Sequence, residues 1–333
     1  MTWLAWRQFR VQALAGAIGI ALLGAVLLAT GPGLADEYAD GLALCGSDCR
    51  EFNDLFTDQH QAALLATTAL VLLLPALLGL FWGAPLVARE LEAGTHRLVW
   101  NQSVTRTRWL GVKLVLVGIA VATAAGLVTW AVDRWSAPIA AASLREPRFP
   151  FSITFSSSGV VPVAYALFAF MLGVAVGMLV RRPLPAMAIT LAAFVVLQFV
   201  VPIFVRPHLA PLVTETVVIS PTNLDGLSQA PGGMRVMATS PEPGGWLLSS
   251  YTVDAAGRKV DAIAVSPDDP ACAAGQGIDP CMAEIERLGY RQVSSHHPPS
   301  QFWRLQWTEA AGYVGLSAGL VGFCFWWVRR RVT

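Results

Sequence analysis

Residues 81–113 read FWGAPLVARELEAGTHRLVWNQSVTRTRWLGVK, and they decide how the rest of the chain is interpreted. This stretch carries a dense set of ionisable side chains between two long apolar runs: Arg89, Glu90, Glu92, His96, Arg97, Arg106, Arg108 and Lys113. The whole chain is 55% hydrophobic and only 14% charged, whereas soluble domains carry about 25% charged residues. A long polar segment in so apolar a chain indicates a loop between two membrane spans that something soluble contacts.

Long uncharged intervals surround this loop and occur throughout the chain. Six of them contain no Asp, Glu, Lys or Arg over 18 residues or more: 11–35, 59–88, 114–132, 149–180, 183–205 and 310–328. About 20 apolar residues cross a bilayer as a helix, and lipid forces backbone groups to hydrogen-bond within the segment. The sequence therefore predicts an all-α membrane protein with six transmembrane helices.

The distribution of charge predicts which loops are cytoplasmic. An even number of spans puts both termini on one side, together with residues 89–113 and 181–182. These segments hold 12 of the 23 Lys and Arg but only two of the 22 Asp and Glu. Because cytoplasmic loops are enriched in Lys and Arg, we expect a multi-pass protein of the plasma membrane with both termini in the cytoplasm.

The first apolar interval could instead be a cleaved signal peptide, since Gly33-Leu34-Ala35 resembles a small-x-small cleavage site. Its 25 uncharged residues are more than the roughly 7–15 of a signal-peptide core. We therefore interpret the interval as a retained span.

The chain divides into four predicted parts. Residues 1–10, MTWLAWRQFR, mix two Trp with two Arg, which is typical of an amphipathic helix in the membrane interface. Residues 11–205 contain the first five spans and the loop 89–113. Residues 206–306 form an extracellular domain, and residues 307–333 form the sixth span with a basic cytoplasmic tail.

Residues 206–306 have the size of a small domain between the fifth and sixth spans. Runs at 216–219, 234–238, 246–253 and 260–265 are rich in β-forming residues and are separated by Pro, Gly and Asn, so they predict strands. Residues 281–288 predict a helix. We expect a small mixed α/β extracellular insertion.

Four cysteines lie in segments predicted to be outside the cell, where disulfides form. Cys45 and Cys49 are four residues apart, and Cys272 and Cys281 flank the predicted helix. These are the expected pairs, although four cysteines allow three connectivities.

Glycines recur at helical spacing in two spans, where small residues allow close approach of another helix. The last span contains a 3-4-3 series and the fourth span a GxxxG motif: Gly312, Gly315, Gly319, Gly322, and Gly173, Gly177. These surfaces suit packing within one chain or between two copies.

Several classes of function lack the residues they need. Ion-coupled pumps need ionisable side chains in mid-membrane, and the spans are nearly free of them. A P-loop ends in Gly-Lys-Ser/Thr, and neither Lys113 nor Lys259 follows a glycine. The adjacent His296 and His297 point in different directions, which disfavours a metal site. We expect no catalytic residue, no metal and no nucleic-acid binding, so a partner must supply energy for any transport.

Three features resemble the membrane subunits of ATP-binding-cassette exporters, the six-span permease type with a separate ATPase. They are the stretch FWGAPLVARELEAGTHRLVWNQSVTRTRW, the six-span layout, and QFWRLQWTEA at the start of the last span. In detail the chain looks like the actinobacterial branch of that family. The match is specific in the central stretch and diffuse in the spans.

The resemblance implies a non-catalytic permease without a cofactor of its own, assembled as two permeases with two ATPase subunits that bind ATP and Mg²⁺. Coupling would run through the loop between the second and third spans and the amphipathic start. The implied ATPase contacts are Arg89, Glu90, Glu92, Gly94, Thr95, His96, Arg97 and Asn101. The implied substrate is a hydrophobic or amphipathic compound, such as a drug, antibiotic or lipid, moved outward as in multidrug efflux.

A membrane-anchored sensor or scaffold with an extracellular ligand-binding domain fits the same layout. It predicts stable expression without an ATPase, whereas a permease should retain a P-loop ATPase through detergent extraction.

Overall fold

Long apolar helices make up most of the protein in the computed structural model. It describes residues 2–46, 49–94, 105–143, 151–220, 223–265, 270, 272 and 279–331. The chain divides into two units, each with its own core. Unit 1 consists of Met1–Ser143, Ser152–Arg206 and Gln306–Thr333, and unit 2 consists of Leu144–Phe151 and Pro207–Leu305.

The described helices follow the apolar intervals of the sequence. In chain order they are α1 Thr2–Leu44, α2 Arg50–Leu78, α3 Ala84–Glu92, α4 Arg106–Ala142, α5 Phe151–Ser157, α6 Val161–Val180, α7 Pro183–Val200, α8 Asp279–Arg287 and α9 Phe302–Arg330. A π-helical turn, Gly79–Gly83, joins α2 to α3, and a second one, Val201–Val205, follows α7.

Within the described residues, six stretches are long and apolar enough to cross a membrane, which confirms the predicted number of spans. They are Phe9–Leu44, Glu51–Glu92, Arg106–Ala142, Val161–Val180, Pro183–His208 and Pro299–Arg330.

Two boundaries differ from the sequence-based expectation. Helix α1 continues without a break from Thr2 to Leu44, so residues 2–10 are its first turns, and their place in the membrane interface stays a prediction. The fourth uncharged interval starts at residue 149, but α6 starts only at Val161. Gly159 has φ +70°, and this left-handed residue separates the short helix α5 from α6.

Helix α6 lies at the centre of unit 1. About two thirds of its most apolar window is buried, against 6% for the window of α1. A helix that is apolar on all sides suits such a position, and α6 contains no charged residue. Its side chains Phe170, Val174 and Met178 join the main core with Trp82 and Leu110.

The described part of unit 2 contains six strands: β1 Val213–Val218, β2 Leu224–Ala230, β3 Gly233–Ala238, β4 Trp246–Val253, β5 Lys259–Val260 and β6 Arg291–His297. One antiparallel sheet has the order β1-β6-β4-β5, and β2 pairs with β3. The predicted runs at 234–238 and 246–253 match β3 and β4. The sequence patterns missed β2, whose sequence LDGLSQA contains aspartate and glycine, which are uncommon in strands, and β6, whose sequence RQVSSHH is mostly polar.

Both expected disulfides are present. Cys45–Cys49 joins the end of α1 to the start of α2, and Cys272–Cys281 fastens the chain to α8. Cys324 is free and buried in α9.

Candidate functional site

The residues expected to contact an ATPase begin in helix α3. Arg89, Glu90 and Glu92 lie in its last two turns. Gly94 follows with φ +67°, the left-handed conformation that commonly ends a helix and that glycine adopts without strain. Thr95, His96, Arg97 and Asn101 lie outside the described residues. We call the end of unit 1 that carries these α3 residues the coupling end.

Helix α3 is held against α6 by a backbone-to-backbone crossing. A Cβ added to Gly79 would lie 2.6 Å from the carbonyl oxygen of Ala169, which is too close for any real contact. Gly173 and Gly177 of the GxxxG motif face the backbones of Gly79 and Ala84 just as closely. Small residues allow this approach, so α3, the π-helical turn before it and α6 pack as one body.

Glu90 points inward and binds two residues of α4. Its carboxylate accepts hydrogen bonds from Lys113 Nζ at 2.5 Å and from Trp109 Nε1 at 3.1 Å. The three residues are 9%, 5% and 3% exposed. The ammonium also lies 4.9 Å from the centroid of the Trp109 ring. Burial removes both charges from water, and their mutual attraction must offset that cost. Removing one partner leaves the other charge buried without compensation, which is strongly destabilising.

Arg89 and Glu92 point the other way and are exposed. Helix α3 therefore has a face anchored through Glu90 and a face that is free to contact another molecule. Of the described residues expected to contact an ATPase, Arg89 and Glu92 present charge to the outside, whereas Glu90 fixes the position of the helix.

A second buried polar cluster lies at the other end of α6. Arg206 is fully buried and forms a bidentate ion pair with Glu309, in which the Nε–Oε2 distance is 2.7 Å and the Nη2–Oε1 distance is 3.0 Å. The guanidinium also donates to Ser156 Oγ at 2.8 Å and to Tyr165 Oη at 3.0 Å. Tyr165 donates in turn to Glu309, and the ring of Phe155 lies under the guanidinium at 4.4 Å. We call this set the arginine–glutamate cluster.

Side chains of two other helices hold the turn between α5 and α6 beside this cluster. Gln306 Oε1 accepts from the backbone amides of Val160 and Val161 at 3.1 and 3.0 Å. Its Nε2 donates to the carbonyls of Phe155 and Ser158. Asp133 Oδ2 accepts from the amide of Gly159 at 3.0 Å. One glutamine thus satisfies four backbone groups that α5 and α6 leave open at their ends.

Sequence patterns did not predict the arginine–glutamate cluster, because its two charged residues border the uncharged intervals that define the spans. Arg206 and Glu309 each lie just beyond the end of such an interval, 103 residues apart. A signal was present in QFWRLQWTEA, where Gln306 and Glu309 stand three residues apart and so share one face of a helix. Ionisable residues within spans are functional candidates by default.

The glycine series of α9 has more open surroundings than the closely packed glycine pair of α6. No heavy atom lies within 4 Å of a Cβ added to Gly312, Gly315, Gly319 or Gly322 among the described residues. The first three of these glycines border an apolar groove of about 640 Å³ whose other walls are Phe168, Leu172, Leu197, Leu316 and Leu320.

Part of the chain that contains α3 and α6 is similar to a known family of membrane proteins. A family model described as "ABC-2 membrane transporter related" matches residues 17–206, more than half of the chain. The matched region includes α3, the GxxxG motif and Arg206. No curated protein and no solved structure matches the chain.

Proposed function

The chain belongs to the ABC-2 membrane transporter related family, and from this premise we propose that it is the permease of an exporter for hydrophobic or amphipathic compounds. The family match and the six apolar helices support a multi-pass membrane protein that is an ABC transporter permease, and the family implies an ABC ATPase as partner. The proposal adds outward transport, a drug, antibiotic or lipid as substrate, and an assembly of two permeases with two ATPases.

The coupling end faces the cytoplasm in this proposal, with both termini on the same side in the plasma membrane. The basic residues at the helix ends support this orientation. The ATPase subunits would bind ATP and Mg²⁺, and this chain would hold no cofactor and carry out no covalent chemistry.

The observation that carries the proposal is the anchoring of α3. Glu90 ties it to Lys113 and Trp109 of α4, while Gly173 and Gly177 bring α6 into backbone contact with it. A partner that pushes on Arg89 or Glu92 therefore moves α3, α4 and α6 together, because packed interiors transmit displacement with little compression. Arg89, Glu92 and Gly94, followed by Thr95, His96, Arg97 and Asn101, form the proposed contact region.

Helix α6 carries this displacement to the arginine–glutamate cluster at its other end. Tyr165 bonds there to Arg206 and Glu309, at the far end of the fifth span and the near end of the sixth. The fourth, fifth and sixth spans would thus change position together. Their mostly uncharged surfaces suit an apolar substrate. The two proposed permease copies would enclose the pathway between them.

A variant pair tests the proposal in proteoliposomes that contain the permease and its ATPase. Glu92→Ala should leave the permease folded but weaken ATPase binding and transport, because Glu92 is exposed. Glu90→Ala should retain ATPase binding but lower transport per ATP hydrolysed, because α3 loses its anchor. Glu286→Ala, an exposed acid in unit 2, is the matched control and should transport normally. Wild-type transport by the double variant Glu90→Ala/Glu92→Ala would overturn the proposal.

A further inference from the structure

Five arginines meet at the coupling end of unit 1. Two form the turn between α6 and α7, and three lie at the end of α9: Arg181, Arg182, Arg329, Arg330 and Arg331. All five are exposed, and none forms an ion pair with an acidic side chain in the part of the chain that the structure describes. We call this set the arginine surface.

A hydrogen bond connects the two parts of the arginine surface. Arg181 Nη2 donates to the carbonyl oxygen of Arg331 at 3.4 Å. The turn and the end of α9 are 150 residues apart in sequence, yet this contact brings the two segments together on one surface of unit 1.

The backbone of Arg181 supplies an independent observation. Arg181 ends α6 in the left-handed conformation, with φ 56° and ψ 14°, and it is the only non-glycine residue with positive φ in the described ranges. Glycine adopts this conformation without strain and is the usual residue at such a helix end. An arginine there keeps its side chain at the expense of backbone strain, and strain of this kind concentrates at functional positions.

Exposed apolar side chains border the arginines. Leu179 and Leu184 are 46% and 79% exposed on either side of the turn, and Trp326 is 45% exposed one turn before Arg330. All three belong to apolar, membrane-spanning stretches. The surface therefore has a cationic part at the helix ends and an apolar part on the membrane side of it.

We propose that the arginine surface binds the phosphate headgroup of an anionic phospholipid, whose acyl chains lie along Leu179, Leu184 and Trp326. Guanidinium groups bind phosphate oxygens through paired hydrogen bonds, and basic residues just beyond a span bind anionic lipids. Tryptophan at the membrane boundary suits the glycerol region of a lipid. An acidic protein surface would contact the arginines alone, whereas a lipid also contacts the adjoining apolar side chains on the membrane side.

Native mass spectrometry of the purified full-length protein in detergent tests the proposal. Dioleoyl-phosphatidylglycerol and dioleoyl-phosphatidylcholine are titrated separately, and the bound lipid is counted. The wild type should prefer phosphatidylglycerol. Arg181→Gln/Arg182→Gln should weaken phosphatidylglycerol binding roughly 25-fold, about fivefold for each arginine, and should leave phosphatidylcholine binding unchanged.

Substitutions at Arg181 separate a ligand contact from a structural role. Arg181→Gly relieves the backbone strain, so it should melt at the same temperature as the wild type or higher while binding phosphatidylglycerol more weakly. Arg181→Lys should keep most of the affinity because the charge remains. If Arg181→Gly bound phosphatidylglycerol as the wild type does, Arg181 would not be a lipid contact and the proposal would fail.

Controls distinguish this site from other sources of binding. Arg235→Gln/Arg291→Gln removes two exposed arginines from unit 2 and should leave lipid binding unchanged; an equal loss there would show nonspecific attraction and overturn the site. Inorganic phosphate at 100-fold excess should not displace the lipid, since it lacks acyl chains; full displacement would contradict a lipid site. Loss of the ATPase subunit by Arg181→Gln/Arg182→Gln with unchanged lipid binding would assign the surface to a protein partner instead.

Discussion

The two buried polar clusters of unit 1 use similar chemistry in opposite ways. At the coupling end, Glu90 pairs with Lys113 and Trp109, which follow it by 23 and 19 residues. At the other end of α6, Arg206 pairs with Glu309 and Tyr165, which are 103 and 41 residues away. The first cluster orders two helices joined by one loop and lies beneath the exposed Arg89 and Glu92. The second joins the ends of three spans, and its arginine is completely buried.

The location of a buried ion pair decides what it contributes to the protein. A pair beneath an exposed surface can transmit a force applied there, while a pair enclosed on all sides holds its helices together. Each pair is costly to break from one side only, because the remaining charge stays buried without its partner.

The largest effect is expected at the arginine–glutamate cluster. Arg206→Leu should lower the free energy of unfolding by about 3–5 kcal/mol, because it leaves the carboxylate of Glu309 buried without a cation. Thermal unfolding of the purified protein in detergent measures the loss. Arg206→Leu/Glu309→Leu should regain most of it, and a double variant as unstable as the single one would show that the pair is not the source.

The Glu90–Lys113 pair should contribute less to the free energy of unfolding than the Arg206–Glu309 pair, and more to the coupling of transport to ATP hydrolysis. Glu90 retains some solvent contact, so Lys113→Met should cost about 2 kcal/mol of stability. It should also lower transport per ATP hydrolysed in proteoliposomes. Arg206→Leu, measured at a temperature where it stays folded, is the reference variant. A larger loss of stability for Lys113→Met than for Arg206→Leu would reverse the order proposed for the two clusters.

The glycine pair of α6 tests whether the close crossing of α3 and α6 stabilises unit 1. Gly177→Ala places a methyl group against the carbonyl of Ala84 and should cost about 1–3 kcal/mol through overpacking. Gly319→Ala in α9 is the matched control, because its added methyl group meets no atom of the described residues within 4 Å. Its expected change in stability is within about 0.5 kcal/mol. Equal melting temperatures for the two variants would show that α6 does not depend on the close crossing.

The smallest effect is expected at an exposed ion pair in unit 2. Hydrogen bonds from the backbone and side chain of Arg258 lower the pKa of Asp254 below its usual value. Asp254 therefore stabilises the fold above the pKa it has in the unfolded chain, and this contribution disappears as the pH falls through the lowered pKa. Asp254→Asn should melt slightly below the wild type at pH 7, and the difference should vanish at acidic pH. A difference that grew on acidification would contradict the assigned cause.

Several features follow from the sequence because they depend on short stretches of it. Each of the six spans needs only an apolar run of sufficient length. The disulfide Cys45–Cys49 joins residues that cannot be far apart, and Gly94 ends α3 through its own backbone freedom. In unit 2 the apolar runs of β3 and β4 were recognisable, while the polar strand β6 owes its place to pairing with β1 and β4 on both sides.

The amino-acid sequence by itself determined that this chain crosses a membrane six times and that its longest basic loop lies between the second and third spans, and it favoured the two disulfides between cysteines close in sequence. Those properties depend on hydropathy, charge and short separation along the chain. Only the tertiary structure decided that Glu90 points inward while Glu92 points outward, and that Arg206 meets Glu309. Helix packing sets both, because residues 103 positions apart become neighbours only when the spans between them have folded against one another.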